Sequence, residues 1–289
     1  MVRRGLKFSL ISRAIEKNPH LSIRGLCTVA GVSTSGYYSW VKRPYPAQTR
    51  EEKLIIQIFN RKHRKAGYRT ILMELERRYG MCLNHKKVRR IMEENRLHTI
   101  IRRKRKYISY SELSKKSKPF ENLVARNFSP ERPDQIDSGD ITEFQYRNGK
   151  AYLYAVKDLC TKEIVSHAVT GQPGAEIVAT TYENRIRKIP PETRKHLISH
   201  SDQGGQFFSD IYRKTLEKHG VRQSMSAKGV CLDNAPIESF FGHFKDEVDV
   251  KNCESLKDVK RVVDGYIKYY NTKRPQWGLN RKTPAECRG

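Results

Sequence analysis

The chain has 289 residues, which is enough for two or three modest domains with at least one substantial core. It carries 57 Lys and Arg residues against 31 Asp and Glu residues, and the resulting net charge of +26 indicates a polyanionic partner such as DNA or RNA. No apolar run is long enough to cross a membrane, and polar residues interrupt the N-terminal stretch where a signal peptide would be apolar. We therefore exclude a secreted or membrane-spanning protein and expect a soluble intracellular one. The 6 cysteines are scattered without a C-x-x-C motif, which excludes a zinc knuckle and a disulfide framework.

Residues 1–46 predict a helix-turn-helix-like segment. Ser22 can cap a first helix, Gly31 supplies a tight turn, and Ser33 can cap a second helix. Proline follows at position 44, and it interrupts the helical pattern.

Residues 47–100 predict a second helix-turn-helix, in this case a DNA-binding domain. Its first helix repeats apolar residues on one face, Gly80 can end the second helix, and Asn84 can cap the third. The third helix carries basic side chains of the kind that enter a DNA major groove, namely Lys86, Lys87, Arg89 and Arg90. The sequence leaves open a plain three-helix unit whose basic face is only solvated.

Residues 101–131 predict a basic linker that follows DNA phosphates, because apolar residues are scarce and positive charges are dense. The densest run contains Arg102, Arg103, Lys104 and Arg105.

Residues 132–289 combine strand patterns with helical ones. Three short β-rich runs come first, and a tight R-N-G-K turn joins the first two. Helices and two further strands then alternate, which predicts an α/β fold with a mixed five-stranded sheet and flanking helices. We assign residues 132–248 to this catalytic core and residues 249–289 to a C-terminal helix and tail that complete it.

Three acidic residues stand in distinctive local settings within this part of the chain. Asp140 lies inside the first strand, Asp202 directly follows a buried strand, and Glu238 lies in the first turns of a helix. A carboxylate in a core strand is unfavourable unless it meets a partner or a metal ion. Hard oxygen ligands suit Mg²⁺ or Mn²⁺, and two such ions can activate a water or a 3′-hydroxyl beside a phosphate. Asp137 is a second carboxylate in the same strand, but it points to the opposite face from Asp140.

Three segments, HSDQGGQFFS, SMSAKGVCLDNAPIESFFGHFK and YIKYYNTKRPQWGLNRKTPAE, resemble the integrase-like transposases of two-reading-frame insertion sequences. The similarity is to the downstream, or OrfB, product, which belongs to the retroviral-integrase superfamily. The resemblance implies an RNase H-like fold for the core. It also implies a DNA transposase that performs metal-dependent strand cleavage and strand transfer at insertion-sequence ends. Asp140, Asp202 and Glu238 would be its metal-binding catalytic triad, with two Mg²⁺ ions per site and Mn²⁺ as a substitute.

The resemblance has further implications for DNA contacts and partners. Lys245 would contact the DNA end, and other residues of the same motifs would shape the site or touch DNA, namely His200, Gln206, Ser226, Lys228 and Asn234. The expected partners are double-stranded DNA, further copies of the chain assembled on DNA, and the upstream OrfA product. The expected location is the bacterial cytoplasm, at the nucleoid. One departure is Asp137, which stands where the family often has tryptophan.

Two other functions are compatible with parts of the chain. A regulator or inhibitor of transposition would use the helical units without catalysis, and the intact acidic triad argues against it. A plain RNase H-like nuclease would hydrolyse DNA without joining it. Two DNA-reading units and a basic linker argue against the nuclease, since degradation needs no such specificity.

Overall fold

The computed structural model describes residues 4–42, 49–100, 121–226 and 231–289. The chain divides into two compact units, residues 1–57 and 58–289. The basic run predicted as a linker lies outside the described residues, and the segment boundaries proposed from the sequence stay predictions. Among the described helices, none is long and apolar enough to cross a lipid bilayer.

The first unit contains three short helices, which are α1 (Arg4–Lys17), α2 (Ile23–Ala30) and α3 (Thr34–Val41). The two predicted caps are confirmed, because the side chains of Ser22 and Ser33 accept hydrogen bonds from the backbone amides three residues later. Gly31 ends α2 with a φ of 63°, a conformation that glycine adopts without strain. The sequence patterns did not predict α1.

Three further helices follow, which are α4 (Arg50–Arg61), α5 (Tyr68–Tyr79) and α6 (His85–Glu94). Gly80 ends α5 in the left-handed conformation, and the Asn84 side chain accepts from the Lys86 amide at 2.8 Å, as predicted. The inner face of α6 is apolar and buried, so its basic residues lie on the outer side.

The predicted α/β core is confirmed. It contains five strands, which are β1 (Ile136–Tyr146), β2 (Gly149–Asp158), β3 (Ile164–Thr170), β4 (Ile198–Ser201) and β5 (Arg222–Met225). Its helices are α7 (Ala175–Ile186), α8 (Pro191–Arg194), α9 (Asp210–Lys218), α10 (Ala235–Glu247), α11 (Leu256–Thr272) and α12 (Pro284–Arg288). The two shortest helices, α8 and α12, were not predicted.

The five strands form one mixed sheet in the order β3-β2-β1-β4-β5. The first three strands pair antiparallel, whereas β4 runs parallel to β1 and β5 runs parallel to β4. The predicted tight turn joins β1 to β2, with Tyr146 opposite Gly149. This order and these directions are those of an RNase H-like sheet.

Helices cover both faces of the sheet. One core cluster packs aromatic residues of α10 and α11 against β2 and β3, with Phe240 and Tyr270 in edge contact at 4.9 Å between ring centroids. The other packs α7 and α9 against the opposite face around Tyr182 and Tyr212. Because the sheet is covered on both faces, each polar residue in its central strands needs a partner inside the fold.

Asp137 meets this requirement through a buried ion pair. Its side chain is 0% exposed, and it accepts from Arg185 of α7, with Nε to Oδ2 at 3.0 Å and Nη2 to Oδ1 at 3.2 Å. The Arg185 side chain is itself only 4% exposed. The carboxylate at the position where the family often has tryptophan thus joins β1 to α7.

We predict that Asp137→Asn lowers the free energy of unfolding by about 3 kcal/mol, because it leaves a buried guanidinium beside a neutral amide. Denaturant unfolding at pH 7 measures the change. The control is Asp210→Asn, which breaks an exposed pair with Arg213 (2.8 Å) and is expected to change stability by less than about 1 kcal/mol. Equal effects of the two substitutions would contradict the role assigned to Asp137.

Candidate active site

Asp140 and Asp202 lie side by side where β4 ends. The last paired residues of the parallel strands β1 and β4 are Gly139 and Ser201. Asp140 and Asp202 each come next in the chain, so the register brings their backbones together. Both residues are half-buried at this edge of the sheet.

The strand alternation directs Asp140 toward α10. Side chains separated by an even number of residues share a face of a strand, and Phe144 lies on the face of Asp140. The Phe144 ring makes edge contact with Phe244 of α10, with 5.4 Å between ring centroids. The Asp140 carboxylate therefore faces the helix that carries Glu238.

Glu238 lies half-buried in the first turn of α10. Apolar side chains anchor this helix to the sheet, and the buried ones are Ile237, Phe240, Phe241 and Phe244. Glu238 lies beside this buried stripe rather than within it. Lys245 follows two turns later, near the C-terminal end of the same helix.

The pKa of Asp140 shows that these groups influence one another. Burial raises it, and the negative charges of Asp202 and Glu238 raise it further, to about 7. Two contributions oppose the increase, a hydrogen bond from the Ile141 amide (2.7 Å) and the positive charge of Lys245. The site therefore concentrates negative charge, and it favours binding of a cation or a proton.

The carboxylates do not form a complete metal cage by themselves. Within the described ranges, no three His, Cys, Asp or Glu side chains stand close enough to share one ion as placed. Mg²⁺ usually binds one or two protein carboxylates and takes its remaining ligands from water and substrate phosphate. The donor set of hard oxygens at Asp140, Asp202 and Glu238 fits such an ion.

A tight turn orients Asp202. Its Oδ1 accepts a hydrogen bond from the Gly204 amide at 2.9 Å. A Cβ atom at position 204 would lie 3.0 Å from that same oxygen, so a larger residue would displace the carboxylate. Glycine in the H-S-D-Q-G-G motif thus leaves room for the acidic side chain.

A small hollow of about 230 Å³ opens beside the two aspartates. Gln206, predicted from its motif, lines this hollow together with Asp140 and Asp202. Glu143 also lines it, and it forms an exposed ion pair with Lys150 at 3.0 Å. Sequence analysis did not single out Glu143, because its strand position is ordinary for an exposed residue.

Buried polar contacts hold the start of α10 in place. Asn234 Oδ1 accepts from Ser138 Oγ of β1 at 2.6 Å. His200 Nε2 lies 3.2 Å from the backbone carbonyl oxygen of Asp233, and its Nδ1 lies 2.9 Å from Ser224 Oγ. These contacts join three strands to the residues just before Glu238.

Lys157 is a further support that sequence analysis missed. Its side chain is buried, and Nζ donates to the Pro236 carbonyl oxygen in the first turn of α10 at 2.9 Å. Burial lowers the pKa of Lys157 to about 7, and the nearby Arg274 lowers it as well. The one available signal was a lysine inside an otherwise apolar strand, but no local pattern could identify its partner.

The residues predicted to contact DNA differ in how far they are exposed. His200, Ser226 and Asn234 are at most 4% exposed, and this burial suits the first of their two expected roles, shaping the site, better than contact with DNA. On α6, Lys86, Arg89 and Arg90 are exposed and Lys87 is half-buried. Lys228 and the four basic residues at 102–105 lie outside the described residues.

The basic face of α6 contacts an aromatic ring of α5. Arg89 lies over the Tyr68 ring at 5.7 Å, and Arg69 lies over the same ring at 5.4 Å. Arg90 forms a long, exposed pair with Glu94 at 3.7 Å. A pair of this kind contributes little to stability, so the Arg90 guanidinium can exchange it for a phosphate.

Comparison with known proteins agrees with this architecture. Residues 130–231 and 219–284 match families described as Integrase core domain, and residues 47–105 match one described as HTH-like domain. The InsK protein of insertion sequence element IS150 from Escherichia coli (strain K12) is 36% identical over 241 residues, covering 82% of each chain. Transposase InsF for insertion sequence IS3A, from the same organism, is 30% identical over 275 residues, covering 91% of this chain and 93% of InsF.

Among solved structures, the HTLV-2 integrase catalytic core domain in complex with magnesium matches with a TM-score of 0.41 and 14% identity. It covers 55% of this chain and 98% of that one.

The fold and the matches define an integrase-core protein with a helix-turn-helix domain ahead of the core. The chain belongs to the integrase-type transposases of insertion sequences, the family that contains these E. coli relatives. Its function is DNA transposition, and DNA is its substrate. The matches to transposases do not favour a regulator without catalytic activity.

We predict that Asp140→Asn raises the free energy of unfolding of the metal-free protein at pH 8 by about 1–3 kcal/mol. The reason is that the folded-state pKa of Asp140, about 7, exceeds its ordinary value. As pH rises from about 4 to 7, the unfolded chain releases this proton first, so the wild type progressively loses stability. The increase in the free energy of unfolding caused by Asp140→Asn should therefore be absent near pH 4 and complete above pH 7.

Denaturant unfolding in EDTA at several pH values measures this difference. The matched control is Asp137→Asn, three residues earlier on the same strand, which is expected to destabilise the protein. A stabilisation by Asp140→Asn that is independent of pH would contradict the explanation by the raised pKa of Asp140, to which burial contributes most.

Proposed function

We propose that Asp140, Asp202 and Glu238 are the catalytic triad that cuts and joins DNA strands at insertion-sequence ends. The main support is geometric, because the register of β1 and β4 brings Asp140 beside Asp202 and Asp140 faces the helix that carries Glu238. The pKa of Asp140 agrees with this arrangement, since burial and the charges of both other carboxylates raise it to about 7. A half-buried carboxylate whose pKa is raised by burial and by two neighbouring acids suits a site that binds a cationic ligand. Membership of a transposase family makes that ligand a metal ion bound together with DNA.

Mg²⁺ is the ion that best suits these hard oxygen donors, with Mn²⁺ as a substitute, and we propose two ions per site. The three carboxylates would hold them together with oxygens of the scissile phosphate. When bound, such ions activate a water or a 3′-hydroxyl and stabilise the leaving oxygen. Asp140 would lose its proton on binding, because positive charge offsets the repulsion from the other two acids.

The surrounding residues bind and orient the DNA end in this proposal. Lys245 is close enough to lower the pKa of Asp140, and its ammonium group would contact a phosphate next to the cut. Gln206 lines the hollow beside the aspartates and would hold the terminal nucleotide. Lys157 keeps Glu238 in position by anchoring the first turn of α10.

Water and a 3′-hydroxyl would use the same site in turn. Attack by water on the scissile phosphate would cut the strand and free a 3′-hydroxyl. Attack by that hydroxyl on a target phosphate would join the two strands. Both steps displace an alkoxide from phosphorus, so the same three carboxylates would serve both reactions.

We propose that α6 reads the element ends in the major groove of double-stranded DNA. Its exposed Lys86, Arg89 and Arg90 face away from the apolar side of the helix, as a recognition helix requires. Lys87 is half-buried on the same helix and would contact the backbone rather than a base edge.

We also propose that the protein acts as an assembly of several chains on DNA. Several copies of the chain would pair two element ends, and the upstream OrfA product would take part. The reaction would take place on the bacterial nucleoid in the cytoplasm. We keep the proposed division into DNA-binding segments 1–46 and 47–100, a linker at 101–131, a core at 132–248 and a tail at 249–289.

We predict that Glu238→Gln keeps DNA binding but lowers the rate of cleavage and joining at least about 100-fold, because the amide removes a charged metal ligand. The assay uses labelled DNA flanking the gene, with Mg²⁺ or Mn²⁺. Glu254→Gln, which neutralises a 73% exposed carboxylate paired with Arg147, is the matched control and should keep activity. Cleavage by Glu238→Gln at a rate near that of the wild type would refute the triad.

We also predict that reversing the charge at Arg89 and Arg90 weakens binding to the element end about 10–100-fold. A gel-shift titration measures the loss. The control reverses Arg213 and Lys214, two exposed residues of α9, and so makes the same change in net charge elsewhere. A recognition role requires that the α6 variant lose much more affinity than the α9 variant.

A further inference from the structure

The last helix, α12, is only five residues long, yet it contacts two distant parts of the second unit. Its start is rigid, because Thr283 and Glu286 form a capping box and Thr283 is fully buried. One side of this helix faces α5, and its end faces the catalytic sheet. We call residues 281–288 the C-terminal strap.

The strap holds α5 through a two-pronged ion pair. Arg77 donates to Glu286 with both terminal nitrogens, at 2.7 and 3.0 Å. This pairing lowers the pKa of Glu286 to about 2, with help from the Thr283 amide. Arg77 also donates to the Arg281 carbonyl oxygen at 3.3 Å, and Arg281 pairs in turn with Glu76 of α5.

At its other end the strap holds the catalytic sheet. Arg288 donates to both carboxylate oxygens of Asp134, at 2.9 and 3.2 Å, and forms a second ion pair with Glu163. Asp134 lies just before β1, the strand that carries Asp140, and it also pairs with Arg185. One short helix therefore connects α5 to the base of the catalytic strand.

Further contacts join the same two parts of the unit. Lys62 Nζ donates to the Tyr269 hydroxyl of α11 at 2.7 Å. The ring of Trp277, just before the strap, is contacted by the guanidinium groups of Arg69 (5.9 Å) and Arg281 (5.2 Å). The helices that would read DNA are thus attached to the core at several points.

The Arg77–Glu286 pair contributes orientation more than stability. Their side chains are 37% and 45% exposed, and ion pairs at such exposure add little to the free energy of folding. A two-pronged guanidinium–carboxylate contact nevertheless fixes direction as well as distance. Removing it should leave the protein folded while loosening α5, and with it α6.

We infer that Arg77 and Glu286 are positioning residues that hold the DNA-reading helices at a fixed distance from the catalytic carboxylates, and so select the phosphate that is cut. The inference rests on the proposed function of α6 and of the carboxylate site. Successive phosphates on one strand are separated by about 3.4 Å of helix axis. A displacement of α6 by a few ångströms would therefore move the cut by one nucleotide.

The test maps cut positions at single-nucleotide resolution on an end-labelled DNA that carries the element end. The variants are Arg77→Met and Glu286→Gln, each of which removes the ion pair and keeps most of the side-chain volume. We expect affinity within about twofold of the wild type, an unchanged melting temperature, and cuts spread over neighbouring phosphates.

The matched control is Arg78→Met. Arg78 is the next residue of α5, but it pairs with Glu74 of its own helix at 2.7 Å and not with the strap. The Arg78→Met variant should cut at the same phosphate as the wild type. The inference is overturned if Arg77→Met and Glu286→Gln cut as uniformly as the wild type, or if Arg78→Met spreads the cuts equally.

Hydroxyl-radical footprints on the same DNA separate this inference from the proposed chemistry. If the wild type binds but does not cut even when the OrfA product is added, the catalytic proposal fails, and the footprint still reports on the strap. In Arg77→Met, the DNA segment that the core protects from hydroxyl radicals should then lose its defined boundaries, while the segment that α6 protects should keep them. Unchanged core protection would overturn the role of the strap.

Discussion

The buried pair between Asp137 and Arg185 is the constraint on which the catalytic sheet depends. Both side chains are at most 4% exposed, so the Asp137 charge depends on Arg185, and Arg185 is neutralised by Asp137 together with Asp134. A shift of β1 by one residue against its neighbours would turn Asp137 away from α7 and carry Asp140 into the apolar layer beneath that helix. The pair thus fixes the register of the strand, and the register places Asp140 next to Asp202.

The opposite face of the same strand has the reverse electrostatic character. Asp137 has a cationic partner inside the fold, whereas Asp140 is surrounded by other acids and has a pKa of about 7. The ion pair of Asp137 fixes the position of β1 and therefore of Asp140 on its other face. Lys157 and Asn234 hold α10 above that face. The buried ion pair on one face of the strand therefore holds Asp140, on the other face, close to Asp202 and Glu238.

Much of this arrangement could be predicted from the sequence, because its signals are local. Strand alternation, helix caps at Ser22, Ser33 and Asn84, and the apolar stripe of α10 each depend on residues close in the chain. The partner of Lys157 lies 79 residues away, and that of Arg77 lies 209 away, so no periodicity could reveal either. The partners of His200 lie 24 and 33 residues away, so local patterns could not identify them either.

The two faces of β1 also limit how this region can change during evolution. Insertion or deletion of one residue between Asp137 and Asp140 would put both carboxylates on the same face of the strand and lose either the ion pair or the site. An insertion in the turn between Tyr146 and Gly149 disturbs neither, because the strand pairing ends there. Relatives of different length should therefore differ at this turn and keep the spacing within the strand.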